Sequence, residues 1–268
     1  MELPRTLPEG SQILPEVRNA IAVASAKGGV GKSTVCINLA LTMARRGVSV
    51  GLLDADIYGP SLQLLTGTRE APAMTADDLI QPVVTRGIRT MSMGYLTGED
   101  TPVVWRGPLL AQAVQQFLSQ VDWGELDVLF IDLPPGTGDI PLTLSQTVAL
   151  SGAVIVTTPQ DVALQDVARG IAMFQRVEVE VLGLVENMSY FLCPNCSERH
   201  EIFGAGGGRA MAEALHLPFL GELPLDGSIR AGGDSGSPVA ASEGSPQAAA
   251  FEDVADRMIE SLHNIWDD

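Results

Sequence analysis

Lysine is almost missing from this chain of 268 residues: Lys27 and Lys32 are the only two, and the other fourteen basic residues are arginines. Basic charge as a whole is scarce, with 16 Lys and Arg against 33 Asp and Glu and a formal net charge of −17. Neutralising a nucleic acid backbone needs clustered cations, so no nucleic acid partner is expected. Aromatic residues make up only 5%, too few for the stacking platforms that single strands require. No run of about 18 apolar residues occurs, so no helix is expected to span a membrane. The first residues, with Pro4, Pro8 and Pro15, lack the basic-then-apolar order of a signal peptide. Cysteines number three, an odd count that argues against a disulfide framework and for a reducing compartment. These absences leave a soluble, cytoplasmic protein as the expectation.

What is abundant is aliphatic: hydrophobic residues reach 46%, and they fall into short continuous runs. Ile21–Ala24, Val48–Leu53, Ile88–Met93, Val128–Ile131, Ala153–Val156, Leu182–Val185 and Phe219–Leu223 read as strands. Helical spacing follows the first of them to Arg46 and returns over Arg106–Val121, Val162–Val177 and Ala248–Ile265. Unbroken apolar strands separated by helices predict a mostly parallel, doubly wound sheet of about seven or eight strands, buried on both faces. Glu70–Gln81 reads as turn-rich and Gly232–Gln247 as a surface loop. Residues 1–19 read as an N-terminal tail and 20–268 as a single α/β domain. Several strands end on Asp54, Asp132, Thr157 and Asn187, at the carboxyl edge where such sheets hold ligands.

Both lysines sit in one loop, Ala26–Lys27–Gly28–Gly29–Val30–Gly31–Lys32–Ser33–Thr34, between the first strand and the first helix. In that context glycines let backbone N–H groups close around phosphate oxygens, and the helix N-terminus adds positive charge. Lys32 would reach the β- and γ-phosphates, and the Ser33 hydroxyl would bind Mg²⁺. A compact ammonium fits a closed phosphate nest better than a planar guanidinium. The strict pattern asks for glycine where this chain has Ala26, a mild departure. The expectation is a P-loop NTPase that binds Mg·ATP. The bland alternative is a structural glycine turn before a helix.

The run KGGVGKS, with its additional Lys27, resembles the deviant phosphate loop of the MinD/ParA superfamily. DADIYGPS (54–61), WRGP (105–108), DLPPGTGD (132–139), CPNC (193–196) and PLDGSIRAGGDSGSP (224–238) make the chain look like the Mrp/ApbC branch, the nucleotide-binding iron–sulfur carriers. That resemblance spans residues from about 20 to 265. It implies that Lys27 reaches across a homodimer interface to the neighbouring subunit's ATP. It implies that Asp56 orients the attacking water, and that Asp54 and Asp132 stand near the hydrated Mg²⁺, directly or through water. Gly136 and Gly138 would make a mobile second switch, and Asn187 would bond adenine, helped by backbone near Pro224. Read without the resemblance, Asp54 and Asp56 could be helix caps, Asp132 could begin an exposed loop, and Asn187 and residues 105–108 could serve turns.

Cys193 and Cys196 stand at the spacing used for zinc or iron–sulfur ligation, but two thiols are half a ligand set. A two-fold axis would bring a second pair and complete four. The resemblance says the same, with a [4Fe–4S] cluster bridging two subunits and apo iron–sulfur proteins as its acceptors. Zinc in that place, or a redox-active pair, stays open on the residues alone. His200 reads as solvated and Cys36 as core. Two rival functions remain: a positioning ATPase of the MinD type, and a zinc-bridged dimeric ATPase acting as a targeting factor. The first would dock on a membrane through its last helix, yet here that helix carries Glu252, Asp253, Asp256 and Glu260 against Arg257 alone.

Overall fold

The computed structural model describes residues 3–11, 13–56, 59–95, 107–136 and 148–266, with backbone only at 107–111 and 161–165. Ile57, Tyr58, Trp105, Arg106 and Gly138, named above with their motifs, lie outside the described residues.

Eleven strands are described: β1 (Ala20–Ala24), β2 (Val50–Asp54), β3 (Ala73–Met74), β4 (Ile80–Gln81), β5 (Val83–Thr85), β6 (Ile88–Ser92), β7 (Val128–Asp132), β8 (Gly152–Thr157), β9 (Val181–Leu192), β10 (Arg199–His200) and β11 (Phe219–Pro224). The helices are α1 (Lys32–Arg45), α2 (Leu62–Thr66), α3 (Gly107–Gln120), α4 (Asp161–Arg176), α5 (Gly207–Ala214), α6 (Gly227–Asp234) and α7 (Pro246–Trp266). Nine strands form one sheet, in the order β10-β9-β8-β1-β7-β2-β6-β5, with β11 on the free side of β9. Within this sheet only the β5 and β10 pairings are antiparallel, and β3 and β4 form a separate antiparallel pair. Every residue of β1, β2 and β7 is buried. Successive side chains point to opposite faces, so both faces of the sheet centre are covered. The mostly parallel, doubly wound sheet expected from the apolar runs is the one observed.

Helix α1 packs with α7 over β2, β7 and β11, while α4 and α5 pack together beside β8 and β9. The apolar stripe of α7, including Phe251, Val254, Met258 and Leu262, is buried in this contact, and Arg46 pairs with Asp256 at 2.5 Å across it. No helix among the described residues is long and apolar enough to cross a membrane.

Several boundaries differ from the sequence reading. The 1–19 segment sends Leu3, Leu7, Leu14 and Val17 into the core and is tied to the sheet's amino edge by Arg18 N–H to Leu126 O at 2.8 Å. Strand β9 continues seven residues past an apolar run that is followed by Glu186, Asn187 and Ser189. The supposed loop 232–247 begins inside α6, which Asp226 caps by accepting from the Ser228 N–H at 2.7 Å.

Candidate functional site

Strand order sets the site. At the carboxyl edge, β1 lies between β7 and β8, so the loop it feeds opens at the centre of the sheet, where strand order reverses. Gly31 holds φ +82°, a left-handed conformation that a side chain resists. A Cβ there would also overlap the Asn187 amide nitrogen. The turn therefore needs glycine on both counts, and it delivers Lys32 as the first residue of α1.

A cavity of about 250 Å³ opens above the loop. Gly28, Gly29, Gly31, Lys32, Ser33 and Thr34 line one side of it, and Asp56, Ser61, Leu65 and Pro135 close the other. Lys32 is nearly buried, with Nζ 2.5 Å from Asp132 Oδ1 and 3.3 Å from Ser33 Oγ. Burial alone lowers the Lys32 pKa, but the charge and hydrogen bond of Asp132 outweigh it, and the net shift is upward. A buried pair of this kind is weak evidence for stability. Its importance is chemical, because an ammonium, a hydroxyl and a carboxylate converge on one point. The oxygens of Ser33 and Asp132 are hard donors of the type Mg²⁺ takes.

Asp54 and Asp132 are register partners on β2 and β7. Burial first, and then the charge of Asp132, push the Asp54 carboxyl up to about 7. Its Oδ2 accepts from the Ser61 and Leu62 N–H groups and the Ser92 hydroxyl, at 3.1, 3.2 and 3.1 Å. Its Oδ1 accepts from the Asp56 N–H at 3.1 Å. Asp54 thus holds the entrance to α2 and fixes the backbone of Asp56, whose side chain is half-buried at the cavity wall. Sequence reasoning named Asp54 for Mg²⁺; the donors around it show a second use, as the anchor of the Asp56, Ser61 and Leu62 N–H groups.

Asn187 lies within β9 and not at a strand end, and its side chain turns to the loop: its Nδ2 donates to Val30 O at 2.8 Å. Neither Asn187 nor Pro224 is among the described residues lining the cavity. Pro224 instead stands opposite Tyr190 at the end of β11. Ala26 and Lys27 are half-exposed at the start of the loop, and the Lys27 carbonyl accepts from Ser25 Oγ at 3.0 Å. One buried carboxylate escaped the sequence reading altogether. Glu186, fully enclosed on β9, accepts from Ser189 Oγ at 2.5 Å and from the N–H groups of Gly206 and Gly208 at the start of α5. A polar residue at the end of an apolar run gives no sign of such partners.

Cys193 and Cys196 sit in the turn between β9 and β10. The turn closes through Cys193 N–H to Glu198 O at 2.9 Å and Ser197 N–H to Cys193 O at 2.8 Å. The N–H groups of Asn195 and then Cys196, followed by the Cys196 thiol, donate toward the Cys193 sulfur and lower its pKa. Thiolate is the metal-binding form. Cys36 is different: burial pushes its thiol well up. Among the described residues, no group of three or more His, Cys, Asp or Glu could hold a metal ion within one chain. Because β9 runs parallel to β8 and β1, the cysteine turn leaves the same carboxyl edge as the phosphate loop.

A family model described as ParA, the NUBPL iron-transfer P-loop NTPase, matches residues 16–259. The iron–sulfur cluster transfer protein NUBPL of Dictyostelium discoideum is 50% identical over 255 residues, covering 94% of this chain and 79% of its own length. An iron–sulfur cluster carrier protein of Synechocystis is 49% identical, covering 92% of this chain and 70% of its own. A nucleotide-binding protein of Archaeoglobus fulgidus, solved in complex with ADP and with cobalt found in it, superimposes with a TM-score of 0.78 at 42% identity, over 90% of this chain and 94% of that one.

Proposed function

The chain belongs to the family of NUBPL iron-transfer P-loop NTPases, and from that footing we propose that it binds and hydrolyses Mg·ATP and carries an iron–sulfur cluster for delivery to apoproteins. The observation that carries this reading is the placement of a phosphate loop and a thiolate-stabilising CPNC turn on one edge of one sheet.

Each residue then has a task. The backbone of Gly28–Gly31 and the N-terminus of α1 hold the phosphates. Lys32 exchanges Asp132 for the β- and γ-phosphate oxygens, which frees that carboxylate to face the metal beside Ser33. Ser33 and Asp132 would hold Mg²⁺ there, and it would supply positive charge against the phosphates. Asp56 orients a water whose oxygen attacks the γ-phosphorus, and the bond to the β–γ bridging oxygen breaks to leave ADP and phosphate. The Asn187 amide oxygen is the group to accept from the adenine amino group, its nitrogen being committed to Val30 O. Lys27 reaches the nucleotide of a second copy. That copy also supplies two further cysteines and covers Leu192, Ile202 and Phe203, which flank the turn and are 41, 55 and 39% exposed. The MinD-type reading needs a free apolar helix face, and α7 has its own packed against α1 and β11.

Two measurements test these halves. An amine-specific reagent is expected to label half-exposed Lys27 faster than Lys32, which is 6% exposed and paired with Asp132. Saturating Mg·ATP is expected to protect Lys27; equal labelling of Lys27 with and without nucleotide removes its phosphate contact. For the cargo, protein reconstituted anaerobically with iron and sulfide is mixed with an apo iron–sulfur enzyme. Activity of the acceptor rises and the carrier's visible absorbance falls. Retention of the cluster with an inactive acceptor defeats the carrier reading.

A further inference from the structure

The turn that carries Cys193 and Cys196 is attached sparsely by its backbone. Strands β9 and β10 meet at two positions only, Arg199 opposite Leu192 and His200 opposite Phe191, and a two-stranded hairpin is marginally stable by itself. A metal site needs its ligands held at a defined angle by the residues around them. Arg199 is placed to do this. Its Nη2 donates to Glu222 Oε2 at 2.7 Å, and its Cζ lies 4.2 Å from the centroid of the Tyr190 ring. Three strands, β10, β11 and β9, thereby meet on one guanidinium. A planar, forked cation can stack on a ring and pair with a carboxylate at once, which an ammonium does less well.

The same contact reaches toward the nucleotide. The Tyr190 carbonyl accepts from the Leu225 N–H at 2.7 Å, which fixes the end of β11 against the ring's own residue. Beyond it Asp226 caps α6. Helix α6 in turn closes on α2, where a Cβ on Gly233 would meet Leu65 Cδ2 at 3.1 Å, and Leu65 lines the phosphate cavity.

We infer that Arg199 is a positioning residue for the cysteine pair: held between Glu222 and Tyr190, it sets the angle of the 193–196 turn and ties that angle to the strand leading back to the phosphate cavity. The inference rests on the metal-holding role proposed for Cys193 and Cys196. Cobalt(II), titrated anaerobically into the full chain, is the probe, because thiolate-to-cobalt absorption reports binding and the d–d bands report geometry.

Arg199→Met is expected to weaken cobalt binding about tenfold, the sum of a modest ion pair and a cation–π contact, and to shift the d–d bands. Glu222→Gln weakens it roughly threefold. The double variant is no worse than Arg199→Met, since both changes remove one shared contact. Arg199→Lys, which keeps the charge pair, falls between wild type and Arg199→Met, and it carries the test if the Met variant folds poorly. Arg230→Met, the same chemical change on exposed α6, leaves affinity and bands as they were. Wild-type affinity and bands in Arg199→Met, or losses that multiply in the double variant, overturn the inference. Cobalt binding that survives Cys193→Ala overturns the metal-site reading instead.

Discussion

Asp56→Ala protein binds Mg·ATP nearly as wild type does and turns it over on the order of 10²-fold more slowly. The backbone at position 56 has bonds of its own. The Asp56 N–H is taken by Asp54 Oδ1, and its carbonyl accepts from the Gly59 N–H at 3.3 Å. Those two backbone bonds do not involve the carboxylate at the cavity wall that the substitution removes. A residue serving as a helix cap behaves otherwise, with roughly 1 kcal/mol lost in stability and unchanged turnover per folded molecule. Melting temperature and turnover measured on one preparation separate the two. Unchanged turnover in Asp56→Ala removes it from the chemistry.

Cys193→Ala and Cys196→Ala each lose the metal entirely and keep ATP binding, whereas Cys36→Ala loses neither. Reconstituted wild-type protein runs as a dimer with about four irons, or one zinc, per two chains. The reason is the count of donors. One described chain offers two thiols at the turn and no third ligand beside them, while Cys36 is enclosed in α1 with 1% of its surface exposed. A two-fold axis at the turn completes four ligands without any other residue. The site also opens when the subunits part, because each takes half the ligands with it. Elemental analysis beside mass in solution decides the matter. A full complement of metal on a monomer contradicts a shared site.

The sequence made the centre of the molecule legible and its β9–α6 side much less so. Strands β1, β2, β7 and β8 are buried on both faces, and that double burial writes itself as uninterrupted Val, Ile, Leu and Ala. Their ends carry Asp54 and Asp132, and the glycine-rich loop stands between a strand and a helix, so both signals agreed. Strand β9 hid most of its length because Glu186, Asn187 and Ser189 look like a loop. They are tolerated in the sheet because α5, the Val30 carbonyl and Glu186 itself satisfy them, and none of those partners is near in sequence. Helix α6 hid because glycines at 227, 232 and 233 argue against a helix, while Asp226 and packing against α2 supply what propensity withholds. The 1–19 segment looked like a tail because its apolar residues are sparse and aperiodic, yet they are the ones that meet the amino edge of the sheet.

The six-residue turn between β9 and β10 closes upon itself, since Cys193 and Glu198 are joined across its neck. Its sequence can therefore change without disturbing the register of the strands that carry it. The loop, the two aspartates and Asp56 all lie on the other side of β8. Such an arrangement lets descent by mutation exchange what is carried while keeping the nucleotide machinery intact. It also marks residues 193–198 as the place where a designer could graft a different binding element onto this scaffold.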